Sequence, residues 1–159
     1  MVRGEPEKRL EVMHDKLTGA AAVGTGFIVL AITGLSYGSF TGMEILKAAI
    51  VSEIIAKESM VLTAYFGKTP SYNGMGYYVV ASMRNKHLKL FSSIALSAII
   101  AILLIGFNFI YLFIAMAVTV AIFTAYANKA FDCVTGDILG ATNEINRMIS
   151  LIVLLATMS

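Results

Sequence analysis

The chain alternates long apolar runs with short segments that are rich in charged and turn-forming residues. The third of its four apolar runs is about twice as long as a membrane helix of roughly 20 residues. Gly106 and Asn108 lie near the middle of that run, so we expect two helices joined by a tight reversal. The pattern predicts an all-α, polytopic transmembrane bundle that forms a single membrane domain. Its spans are expected at about residues 17–35, 43–66, 90–106, 108–126 and 138–158.

Two of these runs carry charges well inside them. Glu53 and Lys57 lie four residues apart with the acid first, the favoured order for a helical ion pair. Glu144 and Arg147 lie three residues apart in the last run and suit a structural pair. Charged side chains at membrane depth are tolerated only where they face protein or water. Both runs are therefore expected to turn a polar face away from lipid.

The composition is consistent with lipid as the surrounding solvent. Of the 159 residues, 58% are hydrophobic and only 14% are charged, whereas a soluble domain carries about 25% charged residues. The net charge of +2 argues against a polyanionic partner, so no nucleic acid is expected. Cys133 is the only cysteine, which excludes an internal disulfide and a metal site made of cysteines alone.

Basic residues are distributed unevenly among the connections between the predicted spans. They occur in residues 1–16, 67–89 and 127–137, and none lies in residues 37–42 or 106–108. The positive-inside rule therefore places the N-terminal segment and the two longer loops in the cytoplasm. The polar loops are expected to meet on that one face of the membrane.

Three polar clusters fall on this predicted cytoplasmic side. They are residues 11–16, the set Lys57, Glu58, Tyr65, Lys68 and Tyr72, and residues 132–144. In the third cluster, a helix that begins near Thr135 or Gly136 would place Asp137 and Glu144 on one stripe, with Asn143 beside them. Carboxylate and amide oxygens suit Mg²⁺, which usually keeps several waters and binds substrate phosphates. Asp137 is equally explained as a helix N-terminal acid favoured by the macrodipole.

Other polar residues offer weaker indications. Lys57 and Lys68 suit contacts with phosphate oxygens, although a topology-setting charge explains Lys68 equally well. His14 is expected to be a solvated surface histidine, His87 a topology or headgroup-contact residue, and Cys133 a small buried thiol. The residues alone support either Mg²⁺-assisted handling of a phosphorylated substrate or translocation of an ion or solute.

Three segments resemble one known family. Residues 134–144, VTGDILGATNE, look like the C-terminal signature of cobalamin-5'-phosphate synthase, also called adenosylcobinamide-GDP ribazoletransferase. Residues 7–20 resemble that family's segment of the form E-R-R-L-E-I-M-K-D-S-x-x-G, and residues 57–62 are similar to its R-x-x-M segment. The three motifs occur in the family's order and spread across the whole chain.

The resemblance implies an inner-membrane transferase of the late corrinoid pathway. Such an enzyme joins adenosylcobinamide-GDP to α-ribazole or its 5'-phosphate, releases GMP and uses Mg²⁺. The chain would thus bind these two substrates in contact with membrane lipid. The resemblance implies catalytic roles for Asp15, Asp137 and Glu144, metal binding by Asp137 and Glu144, and substrate binding by Lys57, Lys68, Thr135, Gly136 and Asn143.

Family members also carry further membrane segments and an acidic D-G-x-x-D-x-x-D type motif ahead of the segment that residues 7–20 resemble. The chain is therefore expected to be the C-terminal portion of such a protein and to be inactive alone if that motif holds the metal. A complementing N-terminal segment or a second copy of the chain is then the expected partner.

The residues leave two other hypotheses open. A different membrane phosphotransferase would need its own acidic signature, which the sequence lacks. A non-catalytic membrane subunit or small transporter would use the Glu53/Lys57 and Glu144/Arg147 pairs as a path through the membrane, and would move a solute without releasing GMP.

Overall fold

The described part of the chain, residues 19–72 and 74–158 of a computed structural model, is helical and contains no strand. A 3₁₀ turn at Gly106–Asn108 joins two of the helices. The α-helices are α1 (Ala20–Gly38), α2 (Met43–Phe66), α3 (Met75–Met83), α4 (His87–Ile105), α5 (Phe109–Phe131) and α6 (Gly136–Met158). The predicted all-α class is confirmed.

The long apolar run folds as two helices, α4 and α5, because the chain reverses at Gly106. This glycine has φ +62°, in the left-handed region that residues with a Cβ rarely adopt. The side-chain amide of Asn108 donates a hydrogen bond to the carbonyl of Thr157 (3.0 Å), which ties the reversal to the end of α6. The reversal therefore lies where the sequence predicted it.

The helix α3 lies inside a segment that the sequence presented only as a hydrophilic connection. It has nine residues, too few to be stable alone in water or to cross a membrane. Val80 is buried against Ala64 of α2 and Val134 before α6, so packing supplies the stability that length does not. Similarly, α5 continues to Phe131, beyond the expected span, because Ala127 and Ala130 are buried.

The two least apolar long helices, α2 and α6, form the centre of the bundle and pack most extensively against each other. In the apolar stretch of α6, 44% of the residues are buried, compared with 6% in α1. The buried face of α2 includes Ala48, Ser52, Ala56 and Ser59, whose small side chains let neighbouring helices approach closely. One face of each charged helix is thus buried against neighbouring helices.

Three stretches are long and apolar enough to cross a membrane: Ala20–Gly38, His87–Phe131 and Gly136–Met158. The middle stretch contains both α4 and α5. The helix α2 is also long enough, but its charges make it less apolar, and ten of its 24 residues are buried in the bundle. Large apolar side chains such as Phe27 and Leu103 point outward, as expected for a surface that lipid solvates.

The loops gather at opposite ends of the bundle. The backbone N–H of Val134 donates a hydrogen bond to the carbonyl of Lys68 (2.9 Å), which holds the α5–α6 connection against the end of α2. We call this the loop end. Phe40, in the turn between α1 and α2, packs in one core cluster with Leu154 near the end of α6. The turn between α1 and α2 therefore lies at the other end, together with the α4–α5 reversal.

Candidate active site

A closed ring of polar side chains joins the middle of α2 to α6. The Nε of Arg147 donates to one carboxylate oxygen of Glu53 (2.8 Å), and the Nζ of Lys57 lies 3.2 Å from the other. Lys57 also donates to the Oδ1 of Asn143 (3.1 Å). The Nδ2 of Asn143 donates to Glu144 (2.9 Å), whose second oxygen pairs with Arg147. We call these five residues the polar ring.

The polar ring carries no net formal charge. It contains two carboxylates, two cations and one amide, and each of its four carboxylate oxygens accepts a hydrogen bond or ion pair. The sequence predicted the two intrahelical pairs separately, from their spacing. The structure connects them through Asn143 on one side and through the Arg147–Glu53 contact on the other.

The polar ring lies deep along both helices. Lys57 precedes the end of α2 at Phe66 by nine residues, and Glu144 follows Gly136 by eight, which is about 12–14 Å at 1.5 Å per residue. That depth approaches the middle of a hydrocarbon core about 30 Å thick. The side chain of Lys57 is nevertheless 59% exposed within the described residues. Because lipid does not tolerate such exposure, the polar ring is expected to face a polar cavity.

A buried carboxylate lies next to the polar ring. Glu58 is 3% exposed, and its two oxygens accept hydrogen bonds from the hydroxyls of Ser93 (3.0 Å) and Ser97 (2.9 Å) on α4. With Glu53 and Lys57 it lines a groove of about 240 Å³ between α2 and α4. The sequence pattern groups Glu58 with Lys57 but does not predict the contacts with Ser93 and Ser97. The sequence feature that could have indicated these serines is a pair of hydroxyl side chains four residues apart in an apolar run.

The start of α6 is fixed by the residues that were predicted to bind substrate. Thr135 is 1% exposed, and its Oγ1 accepts a hydrogen bond from the backbone N–H of Ile138 (3.3 Å), the geometry of a helix N-cap. Gly136 lies directly against Gly76 of α3, where an added Cβ would come within 2.5 Å of the Gly136 nitrogen. Both residues therefore position α6, and their contact with substrate stays a prediction.

Lys68 and Asp132 form an ion pair at the loop end. The backbone N–H of Lys68 also donates to the Oδ1 of Asn128 (3.1 Å), so the residue is held from two sides. Asp132 has φ +56°, which ends α5 in a left-handed residue. The pair lines a cavity of about 500 Å³ together with Arg84, a cation that sequence reasoning did not single out.

Asp137 is exposed in the first turn of α6 and forms no ion pair with any described residue. Burial raises the pKa of the Tyr72 phenol, and the proximity of Cys133 and Asp137 raises it further. Burial also raises the pKa of the Cys133 thiol, with a smaller contribution from the charge of Asp132. Asp137 is thus an exposed carboxylate near the neutral phenol of Tyr72. The buried Cys133 thiol agrees with the sequence expectation.

The structure does not bring Asp137 and Glu144 together as a pair of metal ligands. They are seven residues apart on one helix, about 10 Å along its axis, and both oxygens of Glu144 belong to the polar ring. Among the described residues, no three His, Cys, Asp or Glu side chains gather to hold a metal ion. Asp15 and His14 lie outside the described residues. The predicted metal ligands stay a prediction.

The sequence of the chain is similar to that of one family of known proteins. The sequence model of the cobalamin-5-phosphate synthase family matches residues 1–155. The adenosylcobinamide-GDP ribazoletransferase of Clostridium tetani is 28% identical over 97% of this chain and 61% of its own length. Those of Picrophilus torridus and Thermococcus kodakarensis are 31% and 30% identical, over 95% and 97% of this chain and 63% and 64% of their own lengths. The chain thus spans about three fifths of these relatives, and no solved structure matches it.

Proposed function

The chain belongs to the cobalamin-5-phosphate synthase family, and on that premise we propose that it takes part in joining adenosylcobinamide-GDP to α-ribazole or its 5'-phosphate, with release of GMP. One observation carries the proposal beyond the family relationship. The Nζ of Lys57 donates to the Oδ1 of Asn143, 86 positions later, so two of the three resembling segments meet in one site. The site lies in a multi-pass membrane protein, as expected for this family.

The proposed reaction forms one phosphodiester bond and breaks one pyrophosphate bond. A ribose hydroxyl of the acceptor attacks the phosphorus that carries the cobinamide, the bond to the bridging oxygen breaks, and GMP leaves with the electron pair. The hydroxyl proton passes to water. Negative charge grows on the leaving phosphate, and preorganised cations stabilise such charge most in a site that excludes water.

The polar ring supplies these cations. Lys57 is more than half exposed and is shared between Glu53 and Asn143, so its ammonium can add a phosphate oxygen without leaving its position. Arg147 is held by both carboxylates and only 21% exposed, which keeps the polar ring rigid. We infer that Lys57 contacts the phosphate, whereas Arg147, Asn143 and Glu144 position it.

Magnesium remains part of the proposal through Asp137. Mg²⁺ is usually bound by one or two carboxylates together with substrate phosphates and water, and the exposed, unpaired carboxylate of Asp137 fits that mode. When bound, the ion would neutralise charge on the pyrophosphate. Glu144 would have to release Arg147 or Asn143 before it could act as a second ligand.

Reconstitution of the chain in liposomes, alone and together with a complementing N-terminal segment from a family member, tests the function. Adenosylcobinamide-GDP and α-ribazole are supplied on the side that carries the loop end, and GMP and the corrinoid product are separated by chromatography. We expect GMP release that depends on Mg²⁺ and falls at least tenfold in Lys57→Met, because the phosphate loses its cation. Lys47→Met, on the same helix but outside the polar ring, is the matched control and should retain the wild-type rate.

Three results would contradict the proposal. One is a folded chain that releases no more GMP than protein-free liposomes even when the complementing N-terminal segment is supplied. Another is an equal loss of activity in the Lys47 and Lys57 variants. The third is passage of a solute across the liposome membrane without GMP release, which would favour the transporter hypothesis.

A further inference from the structure

A second polar cavity lies at the loop end, apart from the polar ring. Its volume is about 500 Å³, within the usual range for small-molecule sites. Its polar lining comes from Tyr65 and Lys68 at the end of α2, from Arg84 after α3, and from Asp132 before α6. Three segments that are distant in sequence thus converge on one cavity.

The charges of this cavity favour an anion. Lys68 is already paired with Asp132. The guanidinium of Arg84 is exposed and has no ion-pair or hydrogen-bond partner among the described side chains. The lining therefore keeps one uncompensated positive charge, on the side chain whose planar fork best matches a phosphate.

The backbone holds Arg84 at the cavity. Arg84 directly follows α3, and Asn85 comes next with φ +58°, a left-handed conformation that asparagine tolerates better than most residues. A backbone hydrogen bond from Lys86 to Met83 (3.1 Å) closes the turn. The next residue begins α4, so two helices fix the position of this arginine from both sides.

The cavity also contains hydrogen-bond acceptors. The carboxylate of Asp132 and the hydroxyl of Thr69 add hydrogen-bond acceptors that can bind sugar hydroxyls. A ligand that carries both a phosphate and free hydroxyls uses this mixture better than a simple anion does. A ribose phosphate has this combination.

The cavity lies on the same side of α2 as the polar ring. Ala64 lines the cavity and follows Lys57 by seven residues, which is two turns and about 10 Å along the helix. One nucleotide can therefore place its phosphate in the cavity and extend its ribose towards the polar ring.

We propose that this cavity binds the phosphomonoester of a ribonucleotide acceptor, and that Arg84 is the residue that distinguishes a phosphorylated from an unphosphorylated acceptor. The inference rests on the proposed function, because that function supplies the acceptor. Removal of the guanidinium should weaken binding of the phosphorylated acceptor and leave binding of the unphosphorylated acceptor unchanged. A lipid headgroup phosphate offers the same anion, so the experiment has to separate the two sources.

Binding measurements on the full chain in phosphatidylcholine nanodiscs provide the test. Titration calorimetry compares α-ribazole 5'-phosphate with α-ribazole, for the wild type and for Arg84→Met. We expect the wild type to bind the phosphorylated ligand at least tenfold more tightly. In Arg84→Met the two affinities should become nearly equal, through loss of affinity for the phosphorylated ligand only.

Two control variants sharpen the comparison. Lys86→Met removes a neighbouring exposed cation that does not line the cavity and should keep the wild-type ratio. Arg84→Lys keeps the charge but loses the two-point fork, so it should restore part of the discrimination. If Arg84→Met weakened both ligands equally, or neither, the assignment of Arg84 would be wrong.

A second set of nanodiscs contains phosphatidic acid. If this lipid abolished binding of the ribonucleotide in the wild type but had no effect in Arg84→Met, the cavity would be a headgroup site and the ribonucleotide assignment would be overturned. Failure of the function is distinguishable from failure of this inference. Discrimination without GMP release overturns only the function, whereas GMP release without discrimination overturns only the role of Arg84.

Discussion

At the scale of single residues, the side chain of Asn143 links the two helices that form the candidate site. Its side-chain amide donates to Glu144 on its own helix and accepts from Lys57 on α2. Spacing predicted each ion pair within its helix, since neighbours at three and four residues meet on one face. Which helix would face which was not contained in that spacing, so the polar ring required the tertiary structure.

Glu144 illustrates the limit of reading ligands from a stripe of polar residues. Its position relative to Asp137 was predicted correctly as one helical stripe, because α6 begins where the sequence placed it. Its chemistry depends instead on Arg147 and Asn143, which occupy both of its oxygens. A carboxylate engaged in this way positions other groups more readily than it binds a metal.

Cys133 gives a pH-dependent prediction at the residue scale. The thiol is buried and its pKa is raised, chiefly by burial, so it stays protonated at pH values where an ordinary thiol with a pKa of about 8.5 begins to ionise. Only the thiolate reacts rapidly with maleimides. We expect slow labelling of the folded chain at pH 7, and a rise only above the ordinary thiol range, as measured by mass spectrometry.

The same raised pKa carries a consequence for stability. The unfolded chain loses the thiol proton first as the pH rises, so this contribution to stability is present at neutral pH and declines under alkaline conditions. Asp132→Asn removes the charge that adds to the shift and should make labelling faster at a given pH. Rapid labelling at pH 7 in the wild type, equal to that in denaturing detergent, would contradict the prediction.

At the scale of elements, the contact between α3 and the start of α6 yields a second prediction. Gly76→Ala places a methyl group within 2.5 Å of the backbone nitrogen of Gly136. Backbone cannot move aside as a flexible side chain can, so we expect a loss of about 1–3 kcal/mol in unfolding free energy. Thermal unfolding in detergent, followed by circular dichroism, measures the change.

Gly140→Ala is the matched control. This glycine lies in α6, and an added Cβ would meet no atom within 4 Å among those described. Alanine favours the helix more than glycine by about 0.4–1 kcal/mol, so this variant should be as stable as the wild type or more stable. A Gly76→Ala protein with unchanged melting would show that α3 is not packed as described.

The helix α2 shows how much an element's sequence implies about its environment. Its internal charges predicted a face turned towards protein or water, and the structure places it at the centre of the bundle with ten buried residues. The serines on α4 that hold Glu58 were unforeseen, because hydroxyls in an apolar run also bond to their own helix. Only the neighbouring helix revealed their second partner.

At the scale of the whole molecule, the separation of the loops into two ends predicts a membrane topology. The connections that carry the basic residues lie at the loop end, where Val134 bonds to Lys68. The positive-inside rule assigns this end to the cytoplasm. In a Cys133→Ser background, Ser71→Cys should react with an impermeant maleimide only from the cytoplasmic side, and Ser39→Cys only from the opposite side.

Phe107→Cys is a second reporter for the non-cytoplasmic end. This side chain is 84% exposed at the reversal between α4 and α5, so its accessibility is not limited by packing. It should report the same side as Ser39→Cys. Labelling of the Ser39 and Ser71 positions from one side would overturn the predicted topology and would place the candidate site on an unexpected face.

The helical class, the reversal at Gly106, the start of α6 and the family follow from the sequence alone, because these depend on local hydrophobicity, backbone freedom and residue order. The sequence also indicates which charged side chains must face protein or water rather than lipid. The tertiary structure alone decided that the two ion pairs close into one ring and that Arg84 shares a cavity with Lys68. Such contacts join segments far apart in the chain, and helical periodicity carries no information about which helix packs against which.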